Sequence, residues 1–116
     1  MARIHFIYST MNAGKSTALL QTNFAYLEKG MRTVLFTSEK DNRYGNSEIV
    51  SRIGLKSKAE TFKNSDNLFD CVSKAHTKNA IDCVMIDEAQ FLTKDQVHQL
   101  GRVVDELDVT VLAYGI

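Results

Sequence analysis

Four short apolar runs, "IHFIY", "TVLFTS", "CVMID" and "VTVLAY", recur along the chain with room for a helix between them. Strands that are apolar on both faces belong in a parallel sheet covered on both sides, and parallel neighbours need long, usually helical, crossovers. Ile4 to Tyr8 reads as the first strand, Thr33 to Ser38 as the second. Between them a helix is expected from Lys15 to Lys29, with Leu20, Phe24 and Leu27 on one face and Gly30 ending it. Strand, loop, helix, strand is the βαβ unit of an α/β domain. With 116 residues there is one such domain and not two.

The remaining segments fill this frame unevenly. Lys40 to Lys58 is polar, lacks a period and reads as a long loop, a type usually kept for function. "AETF" reads as a short strand. Ser65 is expected to cap a helix that carries Leu68, Val72 and Ala75. "CVMID", Cys83 to Asp87, is another buried strand. "TKDQ" from Thr93 fits a capping box closed by Gln96, opening a helix with Val97, Leu100, Val104 and Leu107 on one stripe. Val109 to Tyr114 is the last strand. With only two residues after it, this strand is expected to lie uncovered and to invite self-association. On the same ground the 116 residues are expected to be a fragment of a longer protein.

Composition excludes several classes. Fourteen basic residues balance fourteen acidic ones, so bulk charge gives no case for nucleic acid or an anionic membrane. No apolar run reaches the ~18 residues of a membrane helix. The N-terminus lacks a signal-peptide pattern, so a cytoplasmic protein is expected. Cys71 and Cys83 form no CxxC and have no His-Cys cluster around them; they read as two free, partly buried thiols, with no zinc site in this chain. His5 reads as a packing residue, and His76 and His98 as surface residues.

Two motifs carry chemistry. "YSTMNAGKST" directly follows the first strand and opens the first helix. Its end, Gly14-Lys15-Ser16, matches a phosphate-binding loop, but Ser9 stands where that pattern has its first glycine. Serine is small and turn-tolerant, so the loop can still close. The backbone N–H groups of Ser9, Met11, Asn12, Ala13, Gly14 and Thr17 and the helix N-terminus would offer positive potential to phosphate oxygens. Lys15 would add a full charge, and the Ser16 hydroxyl could ligate Mg²⁺. Downstream, "CVMIDEAQF" has the Walker B arrangement of an apolar strand ending in acids. Asp87 would hold Mg²⁺, and Glu88 would lie near the γ-phosphate as a general base. If Glu88 activates water, the protein is an ATPase; if it takes a proton from a bound hydroxyl, it is a kinase. "DEAQ" also resembles the DEAx box of helicases, although the other helicase motifs are not found.

"MNAGKSTALLQ", "DNRYG" and "CVMIDEAQFL", in this order and spacing, resemble the type II thymidine kinase family. The enteric-type bacterial members in particular also carry serine for the first loop glycine. The resemblance covers essentially the whole chain, yet those enzymes are nearly twice as long. It implies an α/β, P-loop NTPase (RecA-like) parallel sheet flanked by helices. The family's C-terminal zinc-ribbon and lasso domain, the only place where zinc is expected, would be missing. It also implies phosphoryl transfer from Mg·ATP to the 5′-hydroxyl of thymidine, with Glu88 as base, Lys15 and Ser16 on phosphate and Mg²⁺, and Asp87 supporting the metal. Met11, Phe91 and Tyr114 resemble residues of the thymine pocket. Asp41 and Arg43 resemble a family pair beside the active site, where Arg43 could neutralise the transferring phosphate; Arg52 resembles a further residue of this kind. A homotetramer is implied, with ATP and thymidine as its small-molecule partners and neither nucleic acid nor membrane. Two alternatives stay open: a hydrolysing, helicase-like motor ATPase, and a non-catalytic nucleotide-binding module.

Overall fold

The computed structural model describes residues 2–8, 14–40, 48–51 and 53–116. Five strands form one parallel sheet: β1 (Ile4–Tyr8), β2 (Thr33–Ser38), β5 (Glu60–Phe62), β6 (Cys83–Ile86) and β7 (Thr110–Gly115). Their spatial order is β1-β7-β6-β2-β5. The register pairs Tyr8 with Gly115, Ile86 with Ala113 and Phe36 with Ile86. All five strands therefore end at the same rim, where β1, β6 and β7 deliver the sequence motifs.

Helices cover both faces of the sheet. On one face lie α2 (Leu68–Lys78) and α3 (Lys94–Leu107). Leu68, Val72, Leu100 and Val103 pack there against Phe36, Val84, Ile86 and Val111. On the other face lie α1 (Lys15–Glu28) and an antiparallel hairpin of β3 (Glu48–Val50) and β4 (Lys56–Lys58). Leu19, Leu20 and Ile49 pack there against Leu35, Met85 and Tyr114. Alternation along β6 sends Val84 and Ile86 to the first face, and Cys83 and Met85 to the second.

The strand frame and the Thr93–Gln96 capping box are as the sequence implies: Gln96 N donates to Thr93 Oγ1 at 3.1 Å, and Thr93 N donates to Gln96 Oε1 at 3.0 Å. Several other expectations are corrected. The last strand is not uncovered, because β7 lies between β1 and β6, with Val111, Ala113 and Tyr114 buried. Within the described residues the sheet's edges are β1 and β5, and on β1 Phe6, Ile7 and Tyr8 are 38%, 42% and 57% exposed. His5 is exposed on the same strand and is no packing residue. The polar segment before Lys58 holds the β3–β4 hairpin; each arm has only three residues and Ile49 alone is fully buried, too little for a visible period. Ser51 closes it, accepting from Leu55 N at 3.0 Å through Oγ and donating to Leu55 O at 2.8 Å through N.

The helix corrections follow from where each helix meets the sheet. α1 buries Leu19, Leu20 and Asn23, and leaves Phe24 and Leu27 exposed. α2 is capped by Asn67, which accepts from Asp70 N at 3.1 Å, and not by Ser65. α3 buries Gln96, Leu100 and Val103 deepest, one step round from the expected stripe. Both thiols are free, but Cys71 is exposed and only Cys83 is buried. No described helix is long and apolar enough to cross a membrane.

Candidate nucleotide site

Gly14 stands before α1 at φ +77, a left-handed conformation that glycine adopts without strain. The helix then begins at Lys15 with no side-chain cap and no acidic residue in its first turn. Its first amide groups therefore keep their positive end open to an anion. Lys15 is nevertheless buried, because its ammonium turns to the end of β6. Lys15 Nζ donates to Asp87 Oδ1 at 3.1 Å and to Glu88 Oε1. All three charged groups are nearly enclosed. Such burial is tolerated only because the charges are paired.

The strand end holds the acids in different ways. Asp87 N donates to Phe36 O at 2.8 Å, which continues the sheet ladder one residue past β6. Asp87 Oδ1 accepts from Glu88 N at 3.0 Å. Glu88 then takes φ 59, ψ 43, a left-handed conformation costing roughly 1–2 kcal/mol for a residue with a Cβ. This reversal turns the chain into a short 3-10 segment, Ala89–Phe91, and aims the Glu88 carboxylate back at Lys15. Strain of this kind persists where the surroundings over-determine it.

Two carboxylates, Asp87 and Glu88, share the Lys15 ammonium. Ser16 Oγ donates to Asp87 Oδ2 at 3.3 Å, so a hydroxyl and a carboxylate oxygen lie side by side at the helix start. Two hard oxygen donors suit Mg²⁺, which takes few protein ligands and completes its shell with phosphate and water. Among the described residues no group of three or more His, Cys, Asp or Glu could hold a metal by itself.

The structure thus brings Lys15, Ser16, Asp87 and Glu88 together, 71 to 73 residues apart in sequence. Thr17 follows in the first turn of α1, half-buried. Phe91 closes the 3-10 segment, and Lys40 Nζ lies 5.6 Å from its ring centroid. With the Asn64 amide oriented by its partners, that side chain donates to Phe91 O at 3.2 Å and accepts from Lys40 Nζ at 3.1 Å. Tyr114 does not join the charged group: it packs beside Leu19 and Leu20, and its hydroxyl donates to Thr22 Oγ1 at 3.4 Å. Ser9, Met11, Asn12, Ala13, Asp41, Arg43 and Arg52 lie outside the described residues.

Comparison with known proteins identifies the family. The thymidine kinase family model matches residues 2–116. The chain belongs to the thymidine kinase family. Over all 116 residues it is 54% identical to a thymidine kinase of Photobacterium profundum and 53% identical to one of Escherichia coli (strain K12). It is 49% identical to a thymidine kinase of Shewanella oneidensis. The chain spans 57–60% of the length of these relatives.

Sequence reasoning about this thymidine kinase family member gave no role to Gln90, Lys40 or Asn64. Gln90 stood in full view within "DEAQF", but its direction depends on the left-handed turn at Glu88. Lys40 and Asn64 come from different loops, and no spacing rule links them to Phe91.

Proposed function

We propose that this chain carries the donor half of a thymidine kinase site and transfers the γ-phosphoryl group of ATP to the 5′-hydroxyl of thymidine. The observation that supports this reading is the buried trio: one lysine at a helix N-terminus engaging two carboxylates at the end of the adjacent apolar strand. In this reading the fold is a P-loop NTPase sheet of the RecA-like type. The open amides of α1 and the Lys15 ammonium bind the phosphates.

Ser16 Oγ and Asp87 would hold Mg²⁺, which neutralises phosphate charge when bound. The chain's own residues do the rest. Glu88 accepts the proton from the thymidine 5′-hydroxyl. The freed oxygen forms a bond to the γ-phosphorus while the bond from that phosphorus to the β–γ bridging oxygen breaks, giving thymidine 5′-phosphate and ADP. Positioning and electrostatics supply most of the acceleration. Phe91 and Tyr114 would lie on the acceptor side with Met11, Asp41 and Arg52, and Arg43 would neutralise charge on the transferring phosphate. The cytoplasm, a homotetramer and a zinc-bearing continuation remain part of the same reading.

The test is ADP formation with and without thymidine. Release that depends on thymidine, with label passing from γ-labelled ATP to the nucleoside, is expected. Thymidine-independent hydrolysis at the same rate would replace the kinase with a motor ATPase. Glu88→Gln should lower transfer by roughly 10²–10⁴-fold while ATP still binds. Unchanged turnover would remove Glu88 as the base.

A further inference from the structure

We propose that Gln90 is a positioning residue for Glu88, a bridge that ties the carboxylate to the end of β7; this rests on the reading of Glu88 as the base. Gln90 Nε2 donates to Glu88 Oε2 at 3.3 Å, and Gln90 Oε1 accepts from Ile116 N at 3.3 Å. The amide is therefore keyed. Reversed, it would turn its carbonyl oxygen toward a carboxylate and its NH₂ toward a backbone N–H.

The two oxygens of Glu88 have different partners. Oε1 accepts from Lys15, and Oε2 accepts from Gln90. In the proposed reaction Lys15 also serves the phosphates, so its hold on Oε1 is shared once the donor binds. Gln90 faces no such demand. It is the side chain, among the described residues, that can keep the carboxylate aimed while the lysine is occupied.

The anchor is local and tight. A Cβ built on Gly115 would lie 3.1 Å from Gln90 N and 2.9 Å from Tyr8 Cε1. The bare backbone at the end of β7 lets the 3-10 segment close against it. Tyr8, exposed on β1, can swing aside; the Gln90 backbone cannot move without moving Glu88. The ends of β1 and β7 thus meet the 3-10 segment at Gly115, and through Gln90 the position of β7 reaches the base.

The experiment measures kcat and both KM values for wild type, Gln90→Leu, Gln90→Asn and Gly115→Ala, with melting temperatures alongside. One hydrogen bond to a charged group corresponds to about tenfold to a hundredfold in rate. Gln90→Leu should lose about that factor in kcat, with KM for ATP and thymidine within about twofold. Gln90→Asn, too short to span, should fall nearly as far. Gly115→Ala should give the same kcat-only signature in milder form. Wild-type kcat in a folded Gln90→Leu protein, or a fall in melting temperature alone, overturns the proposal.

A second readout does not depend on transfer. The Gln90 side-chain amide NMR resonances, assigned by their loss in Gln90→Leu, should shift in Glu88→Ala. Unshifted resonances overturn the bridge. A wild type that makes no thymidine 5′-phosphate overturns the proposed function, and the amide resonances then decide the contact by themselves.

Discussion

β6 and β1 look alike in sequence and live in different surroundings. Both are short apolar runs, and each leads into one of the two motifs joined by Lys15. β6 has β7 on one side and β2 on the other, helices on both faces, and all four residues buried. Among the described residues β1 pairs with β7 alone, and within it only Ile4 is even half-buried. Phe6 and Tyr8 lie in parallel on its open face, ring centroids 6.2 Å apart. Hydrophobicity predicts that a strand wants covering; it does not say whether the neighbours that cover it are there. Asp87 and Glu88 directly follow the sheltered strand, while the segment leading to Lys15 leaves the open one.

The two strands meet electrostatically at Lys15, and breaking that contact should have the largest effect. Lys15→Ala removes the ammonium that both buried acids share, which should cost about 3–5 kcal/mol of stability in urea unfolding. A loss below about 1 kcal/mol would mean the acids are solvated and the sheltered end of β6 is open. Next comes a direct contrast. Met85→Ala, on β6 and fully buried, should cost about 3 kcal/mol through lost burial and a residual cavity. Phe6→Ala, on β1 and partly exposed, should cost about 1 kcal/mol or less, because its ring is already partly in water. Equal costs would show that β1 is covered in solution and would break the comparison.

A pH scan sharpens it further. Burial pushes the Cys83 thiol up from 9.0 to about 11. The unfolded chain then ionises first, so stability present below pH 9 is lost as pH rises toward about 11. Cys83→Ala should flatten part of that decline; an unaltered profile would mean the thiol reaches water. Tyr26, also raised chiefly by burial, leaves a remaining slope at higher pH. The smallest effect is expected far from the site, at Asp108, a left-handed C-cap of α3 at φ 55. Asp108→Gly should gain at most about 1 kcal/mol from the removed Cβ strain, less what is lost with the Ala2 N bond to Asp108 Oδ1. Destabilisation would show that the tie from β1's approach to α3 outweighs the strain.

Much of the candidate site was legible because its parts are local. A glycine before a lysine at a helix start, and two acids after an apolar strand, are patterns of neighbouring residues. The capping box at Thr93 was readable for the same reason. Its Gln96 shows where legibility stops. The side chain is fully buried, and its Nε2 also donates to Lys63 O at 2.7 Å and Asp66 O at 3.1 Å. Those bonds tie α3 to the β5–α2 loop, and no periodicity announces them. Likewise α1 turned Leu19 and Asn23 inward where Leu20, Phe24 and Leu27 had marked the apolar face.

By itself the sequence determined the alternation of strands and helices, the parallel sheet, and the two motifs that supply Lys15, Ser16, Asp87 and Glu88. Those follow from short-range preferences: side-chain period, turn residues and capping. Tertiary structure decided the rest. It placed β7 between β1 and β6, left β1 at one edge, set a hairpin beside α1, and joined Lys15 to Glu88 and Glu88 to Gln90. Strand order and the partners of a buried charge depend on groups far apart in the chain, and their energies exist only once the sheet has brought them together.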